Sequence, residues 1–264
     1  MATTSIRDVP TLGFVPAKQR TWRIVRKGEP SKALDLDDEA PIPTLKSGEV
    51  LVRVQAVSFN NVSVLLVSLP EHSSLTAPSV YFLMTLLPNS FMKRPAELEF
   101  AGEIVDADSS SGFAPGDRVA GFVGPDTHIL ERRGALAQYI AIKPGEIVKR
   151  PEFLSPVEAS GVVIVSLTAY QALFEVAKLR QEPGQSVFIN GGSTSVGMYA
   201  IQLAKAYGLK VVASTSGRNA KLVTELGAEV RASYLNVVVQ LLIEIAGLLS
   251  GRRLHYRPTP RDSH

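Results

Sequence analysis

The residues best suited to chemistry lie in one run, Ser186-Val-Phe-Ile-Asn-Gly-Gly-Ser-Thr-Ser-Val-Gly-Met-Tyr-Ala-Ile-Gln-Leu-Ala-Lys205. A short β-branched stretch meets a glycine-rich turn that opens into an amphipathic segment. The unpaired backbone N–H groups at a helix N-terminus, lying at the positive end of the helix dipole, favour a pyrophosphate there. Against the pattern G-x-G-x-x-G, Gly192 and Gly197 hold the first and last glycine positions and Thr194 the middle one. The middle glycine ordinarily lets the backbone approach the diphosphate without a Cβ. Here Ser193, Thr194 and Ser195 offer hydroxyls instead, and Val196 completes the turn. A strand-to-helix turn with no ligand needs the same residue types. The strand, helix and second strand in order favour the ligand-binding reading.

The end of the second strand bears on which dinucleotide. An acid about 20 residues past the glycines holds the ribose 2′-hydroxyl of NAD. The stretch Ala213-Ser-Thr-Ser-Gly-Arg-Asn219 has none. Ser214, Ser216, Arg218 and Asn219 present donors and a positive charge, which suits a 2′-phosphate and hence NADP(H). Ser216 serves equally well as a helix cap, and the two roles are compatible.

The rest of the chain must position this turn. Its 264 residues suffice for one or two domains. Short alternating stretches at 22–25, 49–57, 103–105, 118–122 and 137–142, separated by Gly, Pro and Asp clusters, indicate an all-β unit, a sandwich or partly open barrel. After Pro151 the pattern changes. Ser155-Pro-Val-Glu158 is a helix start, and 159–178 is long, apolar and helix-compatible. Then follow strand 186–190, helix 195–207, strand 209–214, helix 219–226 and a stop at Gly227. Val196, Tyr199, Ala200, Leu203, Ala204 and Tyr207 share one helical face.

The absence of cysteine excludes disulfides, thiolate metal sites and cysteine nucleophiles. A net charge of +3 with no basic stripe gives no argument for nucleic acid. Two apolar stretches, Val57–Phe91 and Tyr234–Leu249, are broken or too short for a span of roughly 20 apolar residues, and no membrane partner is expected. The N-terminus lacks a signal-peptide core, so a cytoplasmic location is the expectation. No Walker lysine is present. Tyr139 and Lys143 have the Tyr-x-x-x-Lys spacing of short-chain dehydrogenases but precede the glycine turn, and the match is read as chance. His72, His128, His255 and His264 form no ligand spacing and are expected at the surface.

Together these features resemble the medium-chain dehydrogenase/reductase superfamily. The resemblance rests on Gly48-Glu-Val-Leu-Val-Arg-Val-Gln-Ala-Val-Ser-Phe-Asn60, Phe113-Ala-Pro-Gly-Asp-Arg-Val119, Gly134-Ala-Leu-Ala-Gln-Tyr139, Leu167-Thr-Ala-Tyr-Gln-Ala-Leu173 and the glycine turn. It implies an α/β protein with an all-β part: a mobile leader (1–20), a GroES-like β domain (21–150), an incomplete Rossmann doubly wound domain (151–230) and a divergent tail (231–264). Within Glu97-Leu-Glu-Phe-Ala-Gly102, Leu98 stands where zinc alcohol dehydrogenases place a histidine ligand, which points to the zinc-free branch, with no metal. That branch resembles quinone oxidoreductases and fungal trans-acting enoyl reductases.

The resemblance implies NADPH-dependent reduction of an activated C=C bond in an enoyl thioester, enone or quinone, free or carrier-bound. A polyketide synthase is the implied partner, in secondary-metabolite assembly. Thr168 is then expected against the nicotinamide and Asn60 facing the substrate, in the catalytic role. Asn60 reads equally as a turn-forming residue after a strand. Asn61 and Ser63 replace the family's proline and aspartate. The resemblance ends near Val230, so the chain is also expected to keep the adenosine-side determinants with weak or no turnover of its own. A remnant or binding module, and a zinc-independent alcohol or aldehyde reductase, are the alternatives.

Overall fold

A computed structural model describes residues 15–26, 30–60, 93–180, 182 and 184–232. Asn61, Ser63, His72, His255, His264, the apolar stretch 234–249 and the arginine-rich end lie outside the described residues. Contacts divide the chain into two units, Met1–Ile164 and Val165–His264.

The first unit is built on antiparallel sheets. One has the order β2–β1–β4, from β1 (Lys18–Ile24), β2 (Leu34–Pro41) and β4 (Arg94–Pro95). A short α1 (Pro30–Ala33) precedes β2. The other has the order β7–β3–β5–β6–β8, from β3 (Val50–Ser58), β5 (Glu99–Ala107), β6 (Arg118–Phe122), β7 (Tyr139–Ile142) and β8 (Ile147–Lys149). Trp22 N–H donates to Leu136 O at 3.0 Å and Gln138 N–H to Arg20 O at 3.2 Å, so β1 is stitched to the segment leading into β7. β1 begins at Lys18, inside the stretch expected as a leader.

Alternating side chains of β3, β5, β6 and β7 form a core of Val50, Val52, Phe100, Ile104, Val119, Ile140 and Ile142. Gly102 and Gly121 are required by packing. A Cβ on Gly102 would lie 2.3 Å from Arg53 O, and one on Gly121 would lie 2.6 Å from Ile147 Cγ2.

His128 departs from its expected surface role. It lies on α2 (Pro125–Ile129), 6% exposed, with Nδ1 at 2.5 Å from Arg133 O. Burial, with Arg94 nearby, holds its pKa down to about 4. Tyr139 is 6% exposed in the sheet, and Lys143 pairs with Glu131 at 3.0 Å, so each has a structural occupation.

Ser155 opens α3 (Pro156–Ser160) through a complete capping box: its hydroxyl accepts from Glu158 N–H at 3.2 Å, and Glu158 Oε2 accepts from Ser155 N–H at 2.8 Å. The helix-compatible segment 159–178 is helical in separate pieces. α3 stops at Gly161, α4 spans Val163–Tyr170, and a π-helical turn occupies Gln171–Val176. Hydrophobic periodicity does not report this register change, because a single inserted turn leaves the composition of the segment unchanged. Phe174 inside the π turn stacks on Tyr207 at 4.2 Å. Tyr207 is exposed and lies outside the buried cluster that Val196, Tyr199, Ala200, Leu203 and Ala204 join.

The second unit contains a parallel sheet of order β11–β10–β9, from β9 (Ser186–Ile189), β10 (Lys210–Ser214) and β11 (Glu229–Ala232). The helices α5 (Ser195–Ala206) and α6 (Ala220–Glu225) connect them. Ile201, Ala204, Leu209, Val211, Ala213 and Val223 bury the helix–sheet contact. Gly227, at φ +102°, ends the α6 turn in the left-handed conformation that glycine adopts without strain. Among the described residues no helix is long and apolar enough to cross a membrane.

Candidate dinucleotide site

The turn between β9 and α5 is held from inside by polar side chains. Gly191, at φ +81°, reverses the chain. Its N–H donates to Ser214 Oγ at 3.0 Å, and the Ser214 hydroxyl donates to Asn190 Oδ1 at 2.6 Å. Gly192 N–H donates to Ser214 O at 2.8 Å. Ser214 is fully buried and serves as a strut beneath the turn. Asn190, which the sequence reading passed over, is its partner from 24 residues away in sequence.

Thr194 is the N-cap of α5. Its hydroxyl accepts from Gly197 N–H at 3.1 Å and donates to Gly191 O at 2.8 Å. The one hydrogen of the hydroxyl is spent inside the turn, so Thr194 fixes the helix start while Ser193 and Ser195 carry the remaining hydroxyls. Gly197 packs so tightly that a Cβ there would lie 2.2 Å from Gly191 O, and a Cβ on Gly192 would lie 2.9 Å from Ala213 Cβ. These glycines are demanded by backbone and side chains of the turn itself, before any ligand is considered.

With Gly197 N–H capped and Met198 N–H donating to Thr194 O at 2.9 Å, the N–H groups of Ser195 and Val196 make no hydrogen bond among the described residues. They are the orphan donors of a twelve-residue helix, at its positive end. Ser193 Oγ accepts from Thr215 Oγ1 at 2.9 Å and from Asn219 Nδ2 at 3.1 Å, which ties the loop after β10 to the turn. In that loop Ser216 Oγ is buried without a hydrogen-bond partner among the described residues, and Arg218 is exposed. Ser216 also occupies the N-cap position of the 3-10 turn Gly217–Asn219, where its side chain makes no cap bond. An orphaned hydroxyl, an exposed guanidinium and two orphan amides form a donor set that fits an adenosine dinucleotide carrying a 2′-phosphate. Thr168 is exposed on α4.

Asn60 follows β3 in the first unit. Its backbone N–H donates to Glu97 Oε2 at 3.2 Å, and its side-chain amide makes no hydrogen bond among the described residues. Glu97 is 5% exposed and adopts φ +58°, a conformation that costs a non-glycine residue of order 1 kcal/mol or more. Two residues on, Glu99 is 2% exposed. Its carboxylate accepts from Ser58 Oγ at 3.0 Å and Ile164 N–H at 2.8 Å, while burial pushes its pKa above the usual carboxylate value. The sequence reading missed both carboxylates, because Glu97 reaches the Asn60 N–H and Glu99 the Ser58 hydroxyl only once β5 lies beside β3. Among the described residues no group of three or more His, Asp or Glu side chains is arranged to hold a metal.

Comparison with known proteins agrees with this architecture. Residues 46–152 match the alcohol dehydrogenase GroES-like domain. A chloroplastic quinone oxidoreductase of Triphysaria versicolor is 34% identical over 200 residues, covering 74% of this chain and 55% of that protein. A trans-enoyl reductase of Aspergillus clavatus is 32% identical over 236 residues, covering 84% of this chain and 58% of that protein. The solved quinone oxidoreductase of Coxiella burnetii superposes with a TM-score of 0.69 at 29% identity, covering 85% of this chain and 65% of that one. The chain thus spans little more than half the length of the curated relatives it matches. It carries an alcohol dehydrogenase GroES-like domain over residues 46–152, followed by a parallel strand–turn–helix unit, and along most of its length it is similar to quinone oxidoreductases and trans-enoyl reductases.

Proposed function

We propose that this chain binds NADPH and belongs to a reductase of activated carbon–carbon double bonds, in an enone, an enoyl thioester or a quinone. One observation carries the reading. The orphan N–H groups of Ser195 and Val196 open beside a loop, 214–219, that offers hydroxyls and Arg218 but no carboxylate. A carboxylate there would repel a 2′-phosphate by like-charge interaction, whereas Arg218 attracts it. The quinone oxidoreductase and trans-enoyl reductase relatives support the reaction class.

The residues divide the work. The amides of Ser195 and Val196 hold the diphosphate, and Ser216 and Arg218 hold the 2′-phosphate. The bound dinucleotide supplies a hydride. For an enone or enoyl thioester that hydride would go to the β-carbon, with the alkene electron pair shifting through the α-carbon to the carbonyl oxygen and a proton from solvent completing the saturated product. Asn60, its backbone anchored on Glu97 and its amide group without a hydrogen bond among the described residues, donates a hydrogen bond to the carbonyl oxygen as charge builds there. Thr168 packs against the nicotinamide.

Equilibrium titration of the purified chain with NADPH and NADH, followed by the emission of the reduced nicotinamide, tests the binding half. Saturable binding with NADPH favoured is expected, and an absence of saturable binding to either overturns the reading. Substrate-dependent loss of the reduced nicotinamide's absorbance, with an enoyl thioester and a quinone offered separately, tests the reaction class.

A further inference from the structure

Ser193 meets its neighbours in a way that constrains the direction of its own proton. Thr215 is 1% exposed, and among the described residues Ser193 Oγ is the acceptor within reach of its hydroxyl, at 2.9 Å. A buried O–H left without an acceptor is costly, so Thr215 donates. Asn219 Nδ2 carries only hydrogens and donates as well, at 3.1 Å. A serine hydroxyl has two acceptor positions and one hydrogen. Both acceptor positions on Ser193 are therefore filled from the loop after β10, and its hydrogen can only be given away. Ser193 itself is partly exposed, beside the orphan amides of Ser195 and Val196.

We propose that Thr215 is a positioning residue that, with Asn219, turns the Ser193 hydroxyl into an obligate donor aimed at a phosphate oxygen of the bound dinucleotide. This rests on the NADPH reading above. Thr215 touches no ligand and acts wholly through Ser193. Ordering one hydroxyl rotor among its three staggered positions is worth about threefold in affinity, while the donor bond to a charged oxygen is worth about tenfold or more.

The test is a double-mutant cycle on dissociation constants, read by fluorescence titration with NADPH and, separately, NADH. Thermal melting of each ligand-free variant checks that it is folded. Ser193→Ala should weaken binding about tenfold and Thr215→Val about threefold, Thr215→Ser should restore it, and Ser193→Ala/Thr215→Val should be no weaker than Ser193→Ala alone. A loss equal for both dinucleotides places the bond on the shared diphosphate, and a loss confined to NADPH places it on the 2′-phosphate. Either supports the proposal. Additive losses in the double variant, or Thr215→Val binding as wild type while Ser193→Ala does not, would overturn it and leave the NADPH reading standing. A wild-type chain that binds neither dinucleotide overturns both.

Discussion

Gly197→Ala is the perturbation whose consequence follows most directly from geometry. The new Cβ would stand 2.2 Å from Gly191 O and 2.9 Å from Thr194 Oγ1. Since a carbon–oxygen contact relaxes only beyond about 3 Å, the turn must open by roughly 1 Å. That opening breaks the bonds Thr194 makes to Gly191 O and from Gly197 N–H, at 2.8 and 3.1 Å, and with them the N-cap of α5. Loss of a threonine cap costs about 1 kcal/mol, and forcing a methyl into a packed site about 1–3 kcal/mol. The sum, about 2–4 kcal/mol, should lower the melting temperature by roughly 4–16 °C in a chain of this size. Because the orphan amides of Ser195 and Val196 move with the turn, NADPH affinity should fall by more than tenfold. Gly145→Ala, in the first unit, where a Cβ meets nothing within 4 Å, is the control and should change neither quantity. Thermal unfolding by circular dichroism, with NADPH titration of the same samples, decides the matter. If the alanine at 197 melted within a degree or two of wild type and bound NADPH normally, the turn would not be built as described.

Thr194→Ala should cost about 1 kcal/mol and Thr194→Ser almost nothing, since the cap needs only the hydroxyl, measured as a shift in the urea midpoint. His128 has a folded pKa depressed to about 4, against the ordinary value of 6.5, so it folds neutral and charges on unfolding. Its contribution is present above pH 6.5 and lost as pH falls toward about 4, an effect of roughly 3 kcal/mol. The uncharged His128→Gln variant should show a flatter dependence of stability on pH across that window. Glu99 has the opposite sign: burial raises its folded pKa, so its contribution is complete below the ordinary glutamate value of 4.5 and declines as pH rises through the folded pKa. Glu99→Gln should therefore gain on wild type as pH rises, whereas Glu99→Leu, which strands Ser58 Oγ and the Ile164 N–H, should be destabilised by about 1–3 kcal/mol at every pH.

Local pattern carried the second unit far. The β-branched run before Asn190 became β9, the glycine turn opened α5 at Ser195, and Gly227 closed the turn after α6. These are short-range signals, complete within one or two turns of chain. What the sequence concealed was pairing at a distance. Thr194 stands at a glycine position of the motif, yet its hydroxyl acts as a cap, because the motif counts residues and not hydrogen bonds. Ser214 reads as a surface donor at a strand end, and only the parallel pairing of β10 with β9 reveals it as the buried partner of Asn190. Thr215 and Asn219 meet Ser193 for the same reason. In the first unit, Asn60 was visible as a residue after a strand, but Glu97 and Glu99 acquire meaning only through the antiparallel register that sets Ser58 opposite Glu99. His128 shows tertiary burial overruling a lone polar residue, and 159–178 shows that a helix-compatible stretch gives no sign of where the helix changes register.

The most direct measurement is calorimetric titration of the chain with NADPH and NADH side by side, with Gly197→Ala as the disabled reference. One saturable site, tighter for the phosphorylated dinucleotide and abolished or strongly weakened by the added methyl, is the expected result. Heat no greater than that of the disabled variant, or equal affinity for the two dinucleotides, would contradict the assignment of the Gly191–Gly197 turn and the 214–219 loop to one NADPH site.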